Sequence, residues 1–263
     1  MTTALTSGGD TSSFFLAGGR VGCVLLHGFT ATPQEMRPLG TRLHAAGHTV
    51  HGVLTAGHGT TADDLARTSW RDWINSARHG LAQLERHSDT AVVVGLSMGS
   101  LLALALAHDY PERVRGIVLL SPALLLRDRR IEKYLPLLRA TVPWLPQRWQ
   151  SVAKQGRDIA DPVARAASPA YDRVPLRSVV GLVRLQQHVR RLVPAIRQPV
   201  LTIHARQDHT CPLENVALLQ QQLPLPPQVE LLDNSFHVIT LDYDRDRVAE
   251  RVCEFVGTIA ARA

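Results

Sequence analysis

Cysteine is scarce in this chain. Its 263 residues hold three, Cys23, Cys211 and Cys253, an odd number with no C-x-x-C pair. That excludes a disulfide framework or a cysteine-built zinc site and fits reduced thiols in the cytoplasm. Lysine is scarcer: Lys133 and Lys154 are the only two among 29 basic residues, so the positive charge is almost all arginine. The net charge is +6. The arginines are scattered along the chain, however, and the pairs Arg129–Arg130 and Arg190–Arg191 lack interleaved aromatics, so nothing marks a nucleic-acid surface. Long apolar runs are missing. Stretches such as Leu101–Ala107 fall far short of the ~18 residues that a spanning helix needs, which excludes stable membrane insertion. The first thirteen residues are polar, without a basic start, and carry no secretory signal. What remains is 45% apolar and 20% charged, the balance of a chain that buries a sizeable core.

The chain alternates. β-Branched runs at Val21–Leu26, Thr49–Leu54, Ala91–Gly95, Gly116–Leu120, Val200–His204 and Val229–Leu232 read as strands buried on both faces. A short strand at Phe14–Leu16 is expected to pair with the first of them across Gly18-Gly19. Helical patterns lie between. Thr32-Pro33-Gln34-Glu35 has the form of a capping box and predicts a helix running to Ala46, stopped by Gly47. Ser69–Glu85, Ser97–His108, Glu214–Leu223 and Arg245–Ala261 follow. Strand–helix alternation implies an α/β fold with a mostly parallel sheet and helices on both faces. Pro122–Pro194 breaks the pattern, with eight of the sixteen prolines and no convincing strand. It is too long for a plain connection and reads as a helical insertion. Core segments 1–121 and 198–263 then flank a cap over 122–197. The cap's Leu124–Leu126, Leu135, Leu137–Leu138, Val142, Trp144 and Leu145 are candidates to line a cleft, and Trp149 lies in the same segment.

Gly95-Leu96-Ser97-Met98-Gly99 matches G-x-S-x-G between a strand and a helix. A strand turning directly into a helix strains the middle residue and demands tiny neighbours two before and two after. The Ser97 hydroxyl is lifted to a helix N-terminus, where free amides bind an anion. A serine needs a base and the base an orienting acid. Of twelve histidines, His237 follows the last strand, and Asp208 ends the strand before it. The chain order Ser97, Asp208, His237 is that of a nucleophile elbow with its partners. Asp233 and Asp242 are rival acids. The oxyanion donors are the amides of Met98 and of Phe29, in His27-Gly28-Phe29-Thr30. His27 reads as a brace of that loop. The run Leu126-Arg127-Asp128-Arg129-Arg130 reads as a solvated face, with attraction of a substrate carboxylate as the sharper alternative.

These segments, with Gly57-His58-Gly59, Ser69-Trp70-Arg71-Asp72-Trp73, Ala205-Arg206-Gln207-Asp208 and Ser235-Phe236-His237-Val238-Ile239-Thr240-Leu241-Asp242, resemble the bacterial carboxylesterases and monoacylglycerol lipases of the α/β-hydrolase superfamily. The likeness runs from about Val21 to the C-terminus and is weakest over Pro122–Pro194. It implies an eight-stranded, mostly parallel sheet and a small helical cap after the sixth strand. It implies serine-hydrolase action on carboxylic esters with no cofactor. A small-molecule ester substrate, no metal, and a monomer or homodimer are expected besides. Ser97 is then the nucleophile, His237 the general acid/base, Asp208 its orienting carboxylate, and Phe29 and Met98 the oxyanion donors. Thioesterases and other serine-triad hydrolases share these residues. A non-catalytic ligand-binding protein on the same fold stands as the reading from a different class.

Overall fold

The computed structural model describes residues 10–144, 150–153, 156–168, 171 and 173–262; Leu145 and Trp149 lie outside them. In chain order the first half holds β1 (Phe14–Leu16), β2 (Gly19–Leu26), a 3₁₀ turn (Pro33–Glu35), α1 (Arg37–Ala45), β3 (His48–Val53), α2 (Ala62–Arg67), α3 (Trp70–Leu84), β4 (Thr90–Leu96), α4 (Met98–Asp109) and β5 (Val114–Leu120). An insertion follows, with α5 (Arg130–Lys133), α6 (Leu135–Thr141), β6 (Ser151–Ala153), α7 (Pro162–Ala167), β7 (Arg173–Pro175) and α8 (Leu176–Arg190). The chain then returns through β8 (Val200–Ala205), α9 (Glu214–Gln222), β9 (Gln228–Leu232) and α10 (Arg245–Ala260).

The main sheet is seven-stranded, in the order β1-β3-β2-β4-β5-β8-β9. All its pairings are parallel except that of β1 with β3. Side chains alternate between two cores, as a period of two requires. Val24, Leu26 and Val93 join one cluster with Trp73, Leu101 and Leu185; Cys23, Leu25, Val92 and Val94 join the other with Leu43 and Phe255. The first face is covered by α3, α4 and α8, the second by α1 and α10. Every residue from Met98 to Ala107 is buried, so α4 is apolar all round because it has no solvent face.

Five expectations are corrected. The sheet has seven strands among the described residues, not eight, with β1 at its edge, and the insertion follows the fifth strand in the chain, not the sixth. The β1 strand pairs with β3, not β2, since β2 already has β3 and β4 on its two edges. The insertion is not purely helical: β6 and β7 form an antiparallel pair, Ser151 opposite Pro175 and Ala153 opposite Arg173. The capping box at Thr32 does not form. Thr32 makes no side-chain cap, the turn there is 3₁₀, and Glu35 is engaged by Arg157 instead. A working capping box stands at Ser69 and Asp72, where α3 begins. Gly47 ends α1 as expected, at φ +92°.

The α3 helix locks the sheet to the insertion. Its Trp73 is fully buried and donates from Nε1 to Thr68 Oγ1 at 3.1 Å. A Cβ added at Gly181 of α8 would stand 3.4 Å from the same indole, so the two helices approach closely there. Trp73→Ala should therefore lower the unfolding free energy by about 3–5 kcal/mol, the range for emptying a buried aromatic site. Urea denaturation of the two proteins measures it.

Candidate active site

The β4 strand runs straight into α4 at Ser97, which sits at φ 56°, ψ −113°. Packing enforces that conformation. A Cβ on Gly95 would overlap the Gly99 carbonyl, and one on Gly99 would overlap the Leu26 carbonyl at the end of β2. The Ser97 amide donates to the Leu120 carbonyl at 2.8 Å, tying the turn to β5. Such strain persists only where surrounding structure over-determines it. Its result is that Ser97 Oγ faces out of the strand end toward the loop after β9.

There Ser97 Oγ lies 2.9 Å from His237 Nε2, and His237 Nδ1 lies 2.7 Å from Asp208 Oδ2. The other Asp208 oxygen accepts the amides of Thr210 at 2.8 Å and Cys211 at 2.7 Å. Burial works to raise the Asp208 pKa, but the charge and hydrogen bond of His237 and the Cys211 amide outweigh it, and the carboxyl is held below its usual range. A second imidazole, that of His204, stands 3.6 Å from Asp208 Oδ2 and bonds the Cys211 carbonyl at 3.1 Å. All three sequence-chosen residues thus meet, though 140 residues separate Ser97 from His237.

Met98 is the first residue of α4, with its amide at the free helix N-terminus. Phe29 lies in the loop after β2, between Gly28 and Thr30, the latter at φ 59°. Its ring packs on Trp73 at 5.7 Å between centroids. The His27 ring is fully buried and bonded at both nitrogens: Nδ1 donates to the Gly28 carbonyl at 2.9 Å and Nε2 accepts the Thr55 amide at 3.1 Å. That tautomer is neutral, and burial pushes the pKa down to about 4. His27 is a brace, as expected.

The rival acids have other work. Asp233 is exposed and pairs with Arg206. Asp242 is fully buried and accepts four backbone amides, from Ala160, Asp161, Phe236 and Tyr243, at 2.8–2.9 Å. It clamps the insertion to the loop carrying His237. Neither sequence spacing nor residue type distinguished this role. Asp158 does the same on the other side, accepting the His209 amide at 2.9 Å and the Thr210 hydroxyl at 3.0 Å.

Ser97 and His237 open into a cleft of about 320 Å³. Its apolar wall comes from Phe29, Leu126, Val152, Val174, Val179 and Leu182. Of the insertion residues proposed from sequence, Leu126 lines the cleft. Leu124, Leu125, Leu135 and Val142 are buried elsewhere, while Leu137 and Trp144 face solvent, Trp144 at 87% exposure. The β6/β7 pair and α8 supply what those residues do not. In the arginine run, Arg127 Nη2 donates to the Asp208 carbonyl at 2.6 Å and Arg130 pairs with exposed Asp128. A buried ion pair that sequence reading missed, Glu35 with Arg157, also borders the cleft. Asp208, Cys211 and His237 bring ligand atoms within 4.8 Å of one another. Asp208 Oδ2 and both ring nitrogens of His237 are hydrogen-bonded in the relay, and Asp208 Oδ1 accepts the Thr210 and Cys211 amides, so these ligand atoms are already engaged. Among the described residues no helix is long and apolar enough to cross a membrane.

This sheet order, elbow and insertion define the α/β-hydrolase fold. The Hydrolase_4 family, described as serine aminopeptidase, S33, matches residues 20–244, and the chain belongs to it. It is 34% identical over 246 residues to a thermostable monoacylglycerol lipase of Bacillus sp. (strain H-257), covering 92% of each chain. It is 26% identical to a carboxylesterase of Bacillus subtilis (strain 168), covering 92% of this chain and 95% of the relative. Among solved structures, a chain from the work on the metagenome-derived lipolytic enzymes LipS and LipT superposes with a TM-score of 0.86 at 30% identity, over 96% of this chain and 100% of that one.

Two outcomes follow from the polar clamps. Asp242→Ala should lower stability by about 3 kcal/mol or more, since it strands several buried amides that now bond a charged group; thermal or urea unfolding reads it. His27 stays neutral when folded, whereas an unfolded histidine titrates near 6.5. Its contribution is therefore complete above about pH 6.5 and is lost as pH falls toward about 4, up to about 3 kcal/mol. The stability gap between wild type and His27→Gln should narrow across that window in parallel urea titrations.

Proposed function

We propose that the chain is a serine hydrolase that cleaves carboxylic esters through Ser97, His237 and Asp208. The observation that carries this is the hydrogen-bonded line Ser97 Oγ–His237 Nε2, 2.9 Å, and His237 Nδ1–Asp208 Oδ2, 2.7 Å, at the mouth of an apolar cleft. The names of the two Bacillus relatives, a monoacylglycerol lipase and a carboxylesterase, support an ester as the bond broken.

Ser97 attacks the ester carbonyl while His237 takes its proton. The amides of Phe29 and Met98 hold the tetrahedral oxyanion. His237 then protonates the leaving alcohol, and water repeats the cycle on the acyl-enzyme to free the acid. Asp208 holds the imidazole in the tautomer with the Nδ1 proton and stabilises the cation formed on the way. Residues 122–197 act as a cap, and through Val179 and Leu182 they set which chains fit. The protein works in the cytoplasm as a monomer or homodimer.

On a p-nitrophenyl ester, Ser97→Ala should lose roughly 10⁶-fold in turnover, as triads acting as a unit do. Asp208→Asn should lose about 10⁴-fold through the wrong histidine tautomer. Ser97→Ala activity within tenfold of wild type defeats the assignment. Each methylene that finds a dry place in the cleft is worth about 0.8 kcal/mol, about fourfold in kcat/KM. Val179→Phe should accordingly move the optimum of an acetate-to-decanoate series to shorter chains, and an unchanged profile would make the cap a purely structural element.

A further inference from the structure

The Glu35–Arg157 pair has no part in the proton relay. Its side chains are only 3% and 5% exposed. Of the Arg157 nitrogens, Nη1 bonds a Glu35 carboxylate oxygen, while Nε and Nη2 are buried with no acceptor among the described residues. Those two groups share one edge of the planar guanidinium, a fork whose spacing matches the two oxygens of a carboxylate. Buried donors in folded proteins are nearly always paired, and an orphan asks for a missing partner.

Location narrows what the partner is. Glu35 and Arg157 border the same cleft as Ser97 and His237. A methyl group added at Gly28 would stand 3.5 Å from Ser97 Cβ and 3.8 Å from Glu35 Oε2, so the pair begins one side-chain width from the serine. The backbone around Arg157 is held firmly. The Val238 amide donates to the Asp158 carbonyl at 3.1 Å, and the Asp158 carboxylate binds the loop after Asp208. Burial lowers the Arg157 pKa only to about 10, so it is a cation at neutral pH.

We infer that Arg157 is a specificity-determining residue whose Nε and Nη2 receive the free carboxylate of a half-ester of a dicarboxylic acid. The inference rests on the ester-hydrolase reading. The bond chemistry is unchanged: the ester C–O bond breaks, water gives its hydroxyl to the acyl carbon and a proton to the alcohol, and a dicarboxylate leaves. Glu35 keeps the empty cleft close to neutral by occupying Nη1.

The test compares monoethyl half-esters from succinate to suberate with neutral isosteres in which a branched methyl end replaces the carboxylate, such as ethyl 5-methylhexanoate for monoethyl glutarate. At the best-fitting length the wild-type half-ester should exceed its isostere by about 10- to 100-fold in kcat/KM, the effect of a buried hydrogen bond to a charged group. In Arg157→Met that ratio should fall by the same factor, and in Glu35→Gln it should rise, with fluorophosphonate labelling of Ser97 reporting folded sites. The wild-type ratio decides even if a variant does not fold. Isosteres hydrolysed as fast as every half-ester overturn the inference alone, as do diethyl diesters that match the half-esters. No hydrolysis and no labelling of wild type overturn the hydrolase reading and this one with it.

Discussion

Three backbone segments meet almost without side chains where β4 becomes α4. Gly95 faces the Gly99 carbonyl, Gly99 faces the carbonyl of Leu26, and neither place has room for one carbon more. Because the helix starts on top of the sheet with no loop between, Ser97 has nowhere to go except φ 56°. Everything chemical depends on that approach. It points the hydroxyl outward, puts the Met98 amide at the free end of α4, and sets the end of β2 beside the elbow, so that the loop after Leu26 arrives next to the same point. The buried apolar surface of α4 stabilises the arrangement. A helix with no wet face cannot shift to relieve the turn without emptying the core on that side of the sheet.

The insertion is part of this frame and is not merely laid over it. Asp242 takes amides from Ala160 and Asp161 with two carboxylate oxygens, and with the same two takes Phe236 and Tyr243. One buried anion thereby holds the insertion and the His237 loop in a common geometry. Asp158 and Arg127 repeat the device toward the Asp208 loop. Movement of the insertion as a rigid lid would have to break these bonds. Cleft shape and relay geometry are therefore coupled.

The relay was legible in sequence because its logic is local. A strand, five residues and a helix specify the elbow, and Asp208 and His237 each sit directly after a strand that the hydrophobic pattern reveals. The strands themselves were recovered within one or two residues for the same reason: runs such as Val92–Val94 are buried on both faces. The place of the insertion was legible, but its internal strands were not. The two strands there are three residues long and pair over a gap of some twenty positions, leaving no alternation to detect. Trp144 looks like a core residue by type, yet it is 87% exposed. Thr32 and Glu35 fit a capping box by spacing, but an arginine 122 residues away competes for the carboxylate and wins. Asp242 lay inside a motif and still gave no hint whether it served chemistry or architecture, because both uses require a buried, hydrogen-bonded carboxylate.

The distribution of satisfied and unsatisfied polar groups separates those uses. The His27 ring is bonded at both nitrogens, Asp242 accepts four amides, and Asp208 uses both oxygens. Most buried polar groups are closed in this way, since an orphaned buried donor costs more than its bond would contribute, although Trp70 Nε1 and His204 Nδ1 also have no partner among the described residues. Arg157 is different. Its side chain is 5% exposed, in a strap held on both sides, and its Nε and Nη2 have no acceptor among the described residues. Evolution could have closed it with another carboxylate as it did Asp242 with amides, or replaced it with an aliphatic residue at little loss, since isolated buried ion pairs contribute little net stability. A cation kept there half-paired, beside a nucleophile and in a cleft whose wall includes Leu126, Val152, Val174, Val179 and Leu182, is explained by what enters the cleft better than by what surrounds it.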